Sequence, residues 1–430
     1  MSSYDRNRIE AITRTHINTG KINLFTRIGI DLIIGQREGC YVYDIDGRKY
    51  LDVLCDGTTY NFGHRNPEII QTLKDALDHV DIGCQFLPSV ERTLLAEDIV
   101  RTSPPGLEYV HYIPSGSEAN DAAIKAARCA TGRRKVVSIK KSFHGVTGLA
   151  GNASDKAFWE PFHNSRSQDD FITVTWNNVD EMAAALRSND VAAVLVETVP
   201  ATLGWPMPDD DYHANVKALC EKHGALLIMD EIQTGLARSG NLWGLERWQA
   251  RPDIMVIAKG ISGGIYPFAY LAMSERAAAW THSAPLGMPS TFGGSELGCV
   301  VARKVLAMAS SAATLAHVRQ MADLLAAGFA DLQRKFPRQL LEIRQLGLAA
   351  GLKFADPIAG VKMMRSLFRH GVLSLFAGYD HSVVQLKPPL VSGPQQISEL
   401  IAALALAIDE MDEPLGTEND LGPLSALQSP

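Results

Sequence analysis

The 430-residue sequence contains six cysteines (Cys40, Cys55, Cys84, Cys129, Cys220 and Cys299), with no two close together. That spacing excludes the common zinc patterns and provides no disulfide framework, so free thiols and no bound metal are expected. No apolar run is long enough to span a bilayer, which argues against a membrane partner. A basic excess is also missing. The formal net charge of -7 at pH 7 argues against nucleic acid or an anionic membrane surface as the main partner. The first eight residues lack the apolar core of a secretory signal, so a cytoplasmic protein is expected. No internal repeat is visible. What remains is ordinary for a globular protein: 46% of the residues are hydrophobic and 21% charged. At this length the chain can bury a large core and form a large and a smaller domain.

The order of patterns suggests an α/β protein. A helix is expected over about 5–15. Alternating residues over 40–54 around Asp46-Gly47 read as a β-hairpin, with that pair taking the positive φ angles of the turn. A second helix follows over about 68–80, with Pro67 near its start. From about 89 to 310, helical patterns alternate with short apolar runs. Strands are expected at 109–113, 135–139, 171–175, 191–197, 225–230, 254–258 and 268–273. Helices are expected at 117–130, 179–188 and 212–223. Such alternation implies a mostly parallel sheet covered on both faces. Helical patterns at 299–309 and 315–335 precede strand-like pieces (341–345, 351–355, 383–386) and helices (359–370, 395–411), as a smaller α/β domain would require. Residues 413–430 hold three prolines and two glycines without helical period, and read as a mobile tail.

The polar residues fall where a parallel sheet presents its ligand groups, at the carboxyl ends of strands. The run 226–230 ends in Asp230, followed by Ile232 and Gln233; the run 254–258 ends at Lys259. An anion able to keep a pyridine nitrogen protonated and a lysine able to form a Schiff base are what pyridoxal phosphate chemistry needs. Taken singly, Asp230 could equally cap a helix and Lys259 could be a solvated loop lysine. The strand 109–113 runs into Pro114-Ser115-Gly116-Ser117 and a new helix. There, glycine, two hydroxyls and free helix N–H groups suit a phosphate. That loop is neither a P-loop nor a dinucleotide glycine fingerprint. Phe143 and His144 follow the strand 135–139; the phenyl could stack on a planar ring or simply join the core. Glu197 ends the strand 191–197, and Thr291 lies in a loop with Gly293 and Gly294. Five strand ends thus offer a phosphate nest, an aromatic plate, an acid, an aspartate with a nearby glutamine, and a lysine.

With these stretches in family order over about residues 40–300, the sequence resembles the class III (ω-amino acid type) pyridoxal-phosphate aminotransferases of fold type I. The motifs that carry the resemblance are 47–52, 62–67, Ser115-Gly-Ser-Glu-Ala-Asn-Asp121, Phe143-His144-Gly145, Asp230-Glu-Ile-Gln-Thr-Gly235, Ala258-Lys259-Gly260 and Thr291-Phe-Gly-Gly294. The pattern is also similar to glutamate-1-semialdehyde aminomutase. The resemblance implies a large cofactor domain at 67–306 and a small α/β domain built from both chain ends, 1–66 and 307–430. It implies that Lys259 forms the Schiff base with pyridoxal 5'-phosphate and shuttles the substrate proton. Asp230 would pair with the pyridinium nitrogen, Gln233 with the ring oxygen, and Phe143 and Ile232 would sandwich the ring. Ser115, Gly116, Ser117 and His144 would belong to the cofactor site, with Thr291 reaching the phosphate from the neighbouring subunit of a homodimer.

The resemblance breaks where a substrate carboxylate would be held. Relatives commonly carry an arginine three residues before paired prolines; here the position is Gln385, with Lys387 before Pro388-Pro389. Val146 stands where many relatives have arginine, and 196–204 keeps Glu197 but lacks the second glutamate-glycine element. Glutamine does not reproduce arginine's charged fork. Glu197, Arg65, Gln385 and Lys387 are therefore the candidate substrate residues, with His64 as a further stand-in. The expected reaction is amino transfer from an amine or amino acid to a keto acceptor. An elimination or aminomutase reaction is the alternative, conceivably on a phosphate- or phosphonate-bearing amine.

Overall fold

The computed structural model describes residues 5–164 and 170–411. Near the N-terminus lie β1 (Ile34–Glu38), β2 (Tyr41–Asp44) and β3 (Lys49–Asp52). β2 and β3 form the expected hairpin. Its turn differs from expectation in one detail: Gly47 alone takes a positive φ, +89°, and Asp46 does not. The turn is closed by the Asp44 side chain, whose Oδ1 accepts from the Asp46 and Arg48 N–H groups at 2.9 and 2.8 Å. With that carboxylate satisfying the turn's donors, a two-residue left-handed turn is not needed.

The central sheet has seven strands: β4 (Tyr109–Ile113), β5 (Lys135–Ile139), β6 (Phe171–Val174), β7 (Val191–Glu197), β8 (Leu226–Asp230), β9 (Ile254–Ile257) and β10 (Ala269–Met273). Their spatial order is β4-β10-β9-β8-β7-β5-β6, and only β10 runs antiparallel to its neighbours. The reason is visible in β8, where every residue is buried. Leu226 and Ile228 join one core cluster, while Leu227 and Met229 join another on the opposite face. Alternate side chains of a strand point to opposite faces, so a continuous apolar run implies cover on both. The helix Gly116–Thr131 supplies Ala119, Ala123 and Ile124 to one of those clusters, and Tyr212–His223 supplies Val216 and Cys220 to the other. Burying each such aliphatic side chain contributes roughly 1.5–3 kcal/mol.

The C-terminal part forms a four-stranded antiparallel sheet from β11 (Leu340–Leu346), β12 (Ala349–Phe354), β14 (Leu375–Ala377) and β15 (Asp380–Leu386), ordered β11-β12-β15-β14. Between them β13 (Val372–Leu373) pairs in parallel with β3, so strands from both ends of the chain share one sheet. The helices Ala312–Lys335 and Pro394–Asp409 pack on each other beside it. Two helices, Thr19–Ile28 and Val90–Thr102, escaped the reading of local pattern. The second buries only Leu95 and Ile99, too few for a clear stripe. The expected tail at 413–430 lies outside the described residues. Among the described residues no single helix is long and apolar enough to cross a membrane, all six cysteines are free, and no group of metal-ligating side chains occurs.

Candidate active site

The carboxyl ends of the parallel strands converge on a cavity of about 390 Å³ lined by Ser115, Gly116, Ser117, Phe143, His144, Glu197, Asp230, Ile232, Gln233 and Lys259, among others. That volume falls within the range of small-ligand pockets. Sheet register explains why two acids meet there, since Glu197 and Asp230 are direct partners at the ends of β7 and β8. Asp230 is held from one side: its Oδ2 accepts from Asn120 Nδ2 at 3.0 Å and lies 3.0 Å from His144 Nδ1. Its Oδ1 accepts from the Ile232 N–H at 3.1 Å. Asn120 also donates to the His144 carbonyl at 2.8 Å, locking acid, amide and imidazole into one unit. Local pattern did not single out Asn120. Its position four residues after Gly116 puts it on the same helical face as the phosphate loop, and that spacing was the available signal.

Glu231, the second acid of the Asp-Glu pair, is structural. It accepts from the Gly244 and Leu245 N–H groups at 2.7 and 2.8 Å, and from Thr198 Oγ1. Glu197 is 6% exposed and accepts from the Phe143 and Ala201 N–H groups at 3.3 and 3.2 Å. Burial pushes its carboxyl up to about 7, against the pull of His144 and the two amides and with the help of Asp230.

Lys259 follows β9 with φ +49°, a left-handed conformation that is costly for a residue with a side chain. It keeps part of its surface open to the cavity, yet its burial pushes the amine below the ordinary lysine range while Asp230, Glu197 and Asp56 oppose that shift. Its Nζ has no hydrogen-bond partner among the described residues. Opposite it, Cys55, Asp56, Gly57 and Thr58 all take positive φ. A Cβ on Gly57 would lie 3.4 Å from Lys259 Nζ and 3.5 Å from Gln233 Oε1. This strained wall was not legible in the sequence, because four consecutive left-handed residues have no local signature when three of them carry side chains.

The Ser115–Ser117 loop is equally close-fitting. The helix Gly116–Thr131 begins there, and its first-turn N–H groups lack intrahelical partners. The Ser115 hydroxyl caps the helix, accepting from the Glu118 N–H at 3.4 Å and donating to Glu118 Oε1 at 3.0 Å. Ser117 Oγ accepts from the Val146 N–H at 3.2 Å. Gly145, at φ +128°, has no room for a side chain: a Cβ would fall 2.4 Å from Ser117 Oγ.

These residues fit pyridoxal phosphate. Gln233 Oε1 and His144 Nε2 are buried without a partner, Lys259 Nζ is free, and a helix N-terminus faces the same cavity. Phe143, packed edge-on against Phe158 with centroids 4.8 Å apart, and Ile232 both line it.

Five predicted site residues are absent from the cavity lining. His64 is buried, its Nε2 2.7 Å from Asp52 Oδ2. Arg65 is exposed at φ +53° in a separate groove with Arg37 and Tyr43. Thr291 is exposed on its loop. Gln385 is buried in β15, accepting from Trp205 Nε1 at 3.2 Å and from Lys387 Nζ at 3.0 Å and donating to the Phe376 carbonyl at 3.1 Å. Lys387 is 2% exposed, and burial pushes its amine down to about 7, with Lys259 and Arg238 adding to the fall and Cys55 and Asp52 opposing it.

A family model described as "Aminotransferase class-III" matches residues 27–408. The chain belongs to the class-III aminotransferase family. This class-III aminotransferase uses pyridoxal 5'-phosphate to transfer amino groups. It is 39% identical over 401 residues, 93% of each chain, to a protein of Archaeoglobus fulgidus named an uncharacterized aminotransferase. Its fold matches a transaminase from the marine bacterium Virgibacillus with TM-score 0.86 at 24% identity, covering 95% of this chain and 100% of the other. It also matches the ornithine aminotransferase of Toxoplasma gondii ME49 with TM-score 0.85 at 24% identity, covering 96% and 97%. The fold is therefore that of the pyridoxal-phosphate transaminases, α/β with a mostly parallel central sheet.

Proposed function

We propose that Lys259 and Asp230 are the catalytic pair of this aminotransferase and that its amino donor is an amine or amino acid bound against Glu197. The observation that carries the reading is the free Lys259 amine facing a cavity whose floor is an aspartate fixed by Asn120, His144 and the Ile232 N–H. Pyridoxal phosphate, when bound, supplies an aldehyde for amine exchange and a ring that draws electrons from the carbon losing its proton. Asp230, its carboxylate aimed by His144 and Asn120, would hold the proton on the ring nitrogen. Gln233 would pair with the ring oxygen, and Phe143 and Ile232 would hold the ring. The Gly116 and Ser117 N–H groups and the Ser117 hydroxyl hold the phosphate; the Ser115 hydroxyl serves by capping the helix behind them. Lys259 would be the residue that holds the cofactor aldehyde, and its amine, pushed below the usual lysine range, would be suited to moving a proton at the substrate carbon.

The active unit in this reading is a homodimer in a reducing, cytoplasmic setting, with Thr291 serving the partner's phosphate. Support comes from the loop that bears it. The Ser290 N–H donates to Gln85 Oε1 at 2.7 Å, and Phe86, Leu87, Val90 and Phe292 are exposed around it, as an interface would require. Residues 67–306 serve as the cofactor domain, with 1–66 and 307–430 forming the small domain.

A lyase or aminomutase reaction on an amine without a carboxylate is favoured by one observation. No arginine lines the cavity among the described residues, so a second, carboxylate-bearing substrate has no fixed cation there. One experiment separates the readings. Given an amine donor and no acceptor, the aminotransferase converts its cofactor to the amine form and stops. Sustained ammonia release over many turnovers would instead assign elimination.

A further inference from the structure

The charges lining the cavity are unevenly distributed. Among its described lining residues the lysine, arginine, aspartate and glutamate side chains are one amine, Lys259, and two acids, Asp230 and Glu197. Asp230 is taken up by its three partners and, on the reading above, by the cofactor ring. Glu197 is not. Each of its oxygens accepts one backbone N–H. A carboxylate offers about four acceptor sites, so roughly two remain for a ligand. No lysine or arginine side chain bonds Glu197 among the described residues.

The cations that could have served a carboxylate are turned away. Lys387 Nζ donates to Gln385 Oε1, and the Gln385 amide donates to the Phe376 carbonyl. Arg238 is fully buried, with its guanidinium on the Leu348 and Pro388 carbonyls and on Asn61 Oδ1. Trp205, also fully buried, donates its Nε1–H to Gln385 Oε1.

We propose that the substrate side of this cavity selects amines whose non-reacting end is a second cation, diamines in chemical class, and discriminates against ω-amino acids of the same length, with Glu197 as the specificity-determining residue. The proposal rests on the cofactor assignment made above. A desolvated acid with no lysine or arginine bonded to it gains most from a ligand that brings a cation, and loses most against a ligand that brings a carboxylate. Burial pushes the Glu197 carboxyl up, and a bound cation would oppose that shift.

The test uses the holoenzyme with pairs matched in length, such as 1,4-diaminobutane against 4-aminobutanoate, and reads kcat/KM for conversion of the cofactor to its amine form. A second reading, independent of turnover, is the dissociation constant of each compound in the cofactor-loaded Lys259→Ala protein. The expected preference for the diamine is roughly tenfold or more in both, the size of one charge-assisted hydrogen bond. Glu197→Gln should collapse the ratio towards one, and Glu197→Asp should keep its direction. Preference for the amino acid, or no preference, in the wild-type protein overturns the proposal. So does a ratio that Glu197→Gln leaves unchanged, since a residue serving only the cofactor would slow both compounds alike. If the protein turns over no amine and binds none, the catalytic assignment itself fails, which is a different outcome.

Discussion

The two sides of the cavity are built differently. On the side proposed for the cofactor the groups cluster at strand ends: Asp230 is the last residue of β8, Lys259 comes two residues after β9, and Gly116 and Phe143 come three and four residues after β4 and β5. On the substrate side the wall is irregular. Gly57, beside Lys259 and Gln233, sits in a run of left-handed residues. Behind it, Gln385 and Lys387 bond each other instead of facing the cavity. A regular scaffold can hold a fixed ligand to a fraction of an ångström, while loops are where variation is tolerated. One side is thus suited to an invariant cofactor and the other to whatever this chain acts upon.

Breaking the cofactor side should have the largest effect. Lys259→Ala should lower kcat by about 10²–10⁴-fold from lost proton transfer alone, measured in single-turnover experiments. The variant should still bind cofactor, because Asp230 and the phosphate loop are untouched; full activity would refute the assignment of the lysine.

The next effect lies behind the substrate wall. The Lys387 amine titrates at about 7 in the folded protein and at 10.5 as its ordinary value. A depressed value contributes stability that is full above the ordinary value and lost as pH falls to the folded one. Over that window, at about 1.4 kcal/mol per pH unit, the cofactor-free protein should gain roughly 5 kcal/mol as pH rises. Denaturant titrations should find Lys387→Met with that slope flattened.

Glu197 has the opposite sign. Its folded value of about 7 lies above the ordinary 4.5, so its contribution is full below 4.5 and lost as pH rises to about 7. That loss is roughly 3 kcal/mol in the cofactor-free protein, and Glu197→Gln should remove it. Smallest in stability is Gly145→Ala. Its Cβ would press on Ser117 at a φ of +128°, costing about 1–3 kcal/mol. It should also weaken cofactor binding, measured by fluorescence titration, with little change in kcat once the site is saturated.

The same contrast explains what the sequence made legible. The middle of the central sheet was readable because β7, β8 and β9 are buried apolar runs that end in or lead into a distinctive polar group, and buried parallel strands leave that signature. Asp230 and Lys259 could be singled out for the same reason. Gln385 was noticed as a departure, but its partners, Trp205 and Lys387, depend on how β15 meets the 199–205 segment, which no local pattern encodes. The wall at 55–58 and the short strands β13 and β14 were missed for a similar reason: only packing against distant segments defines them. In the phosphate loop, the sequence offered two serine hydroxyls to a ligand, while the structure commits that of Ser115 to capping.

The most direct measurement of the central claim is reduction of the purified holoenzyme with borohydride, followed by mapping of the cofactor-bearing peptide. The account predicts one modified residue, Lys259. Modification of Lys387 or of any other lysine, or a protein that takes up no pyridoxal phosphate, would contradict it.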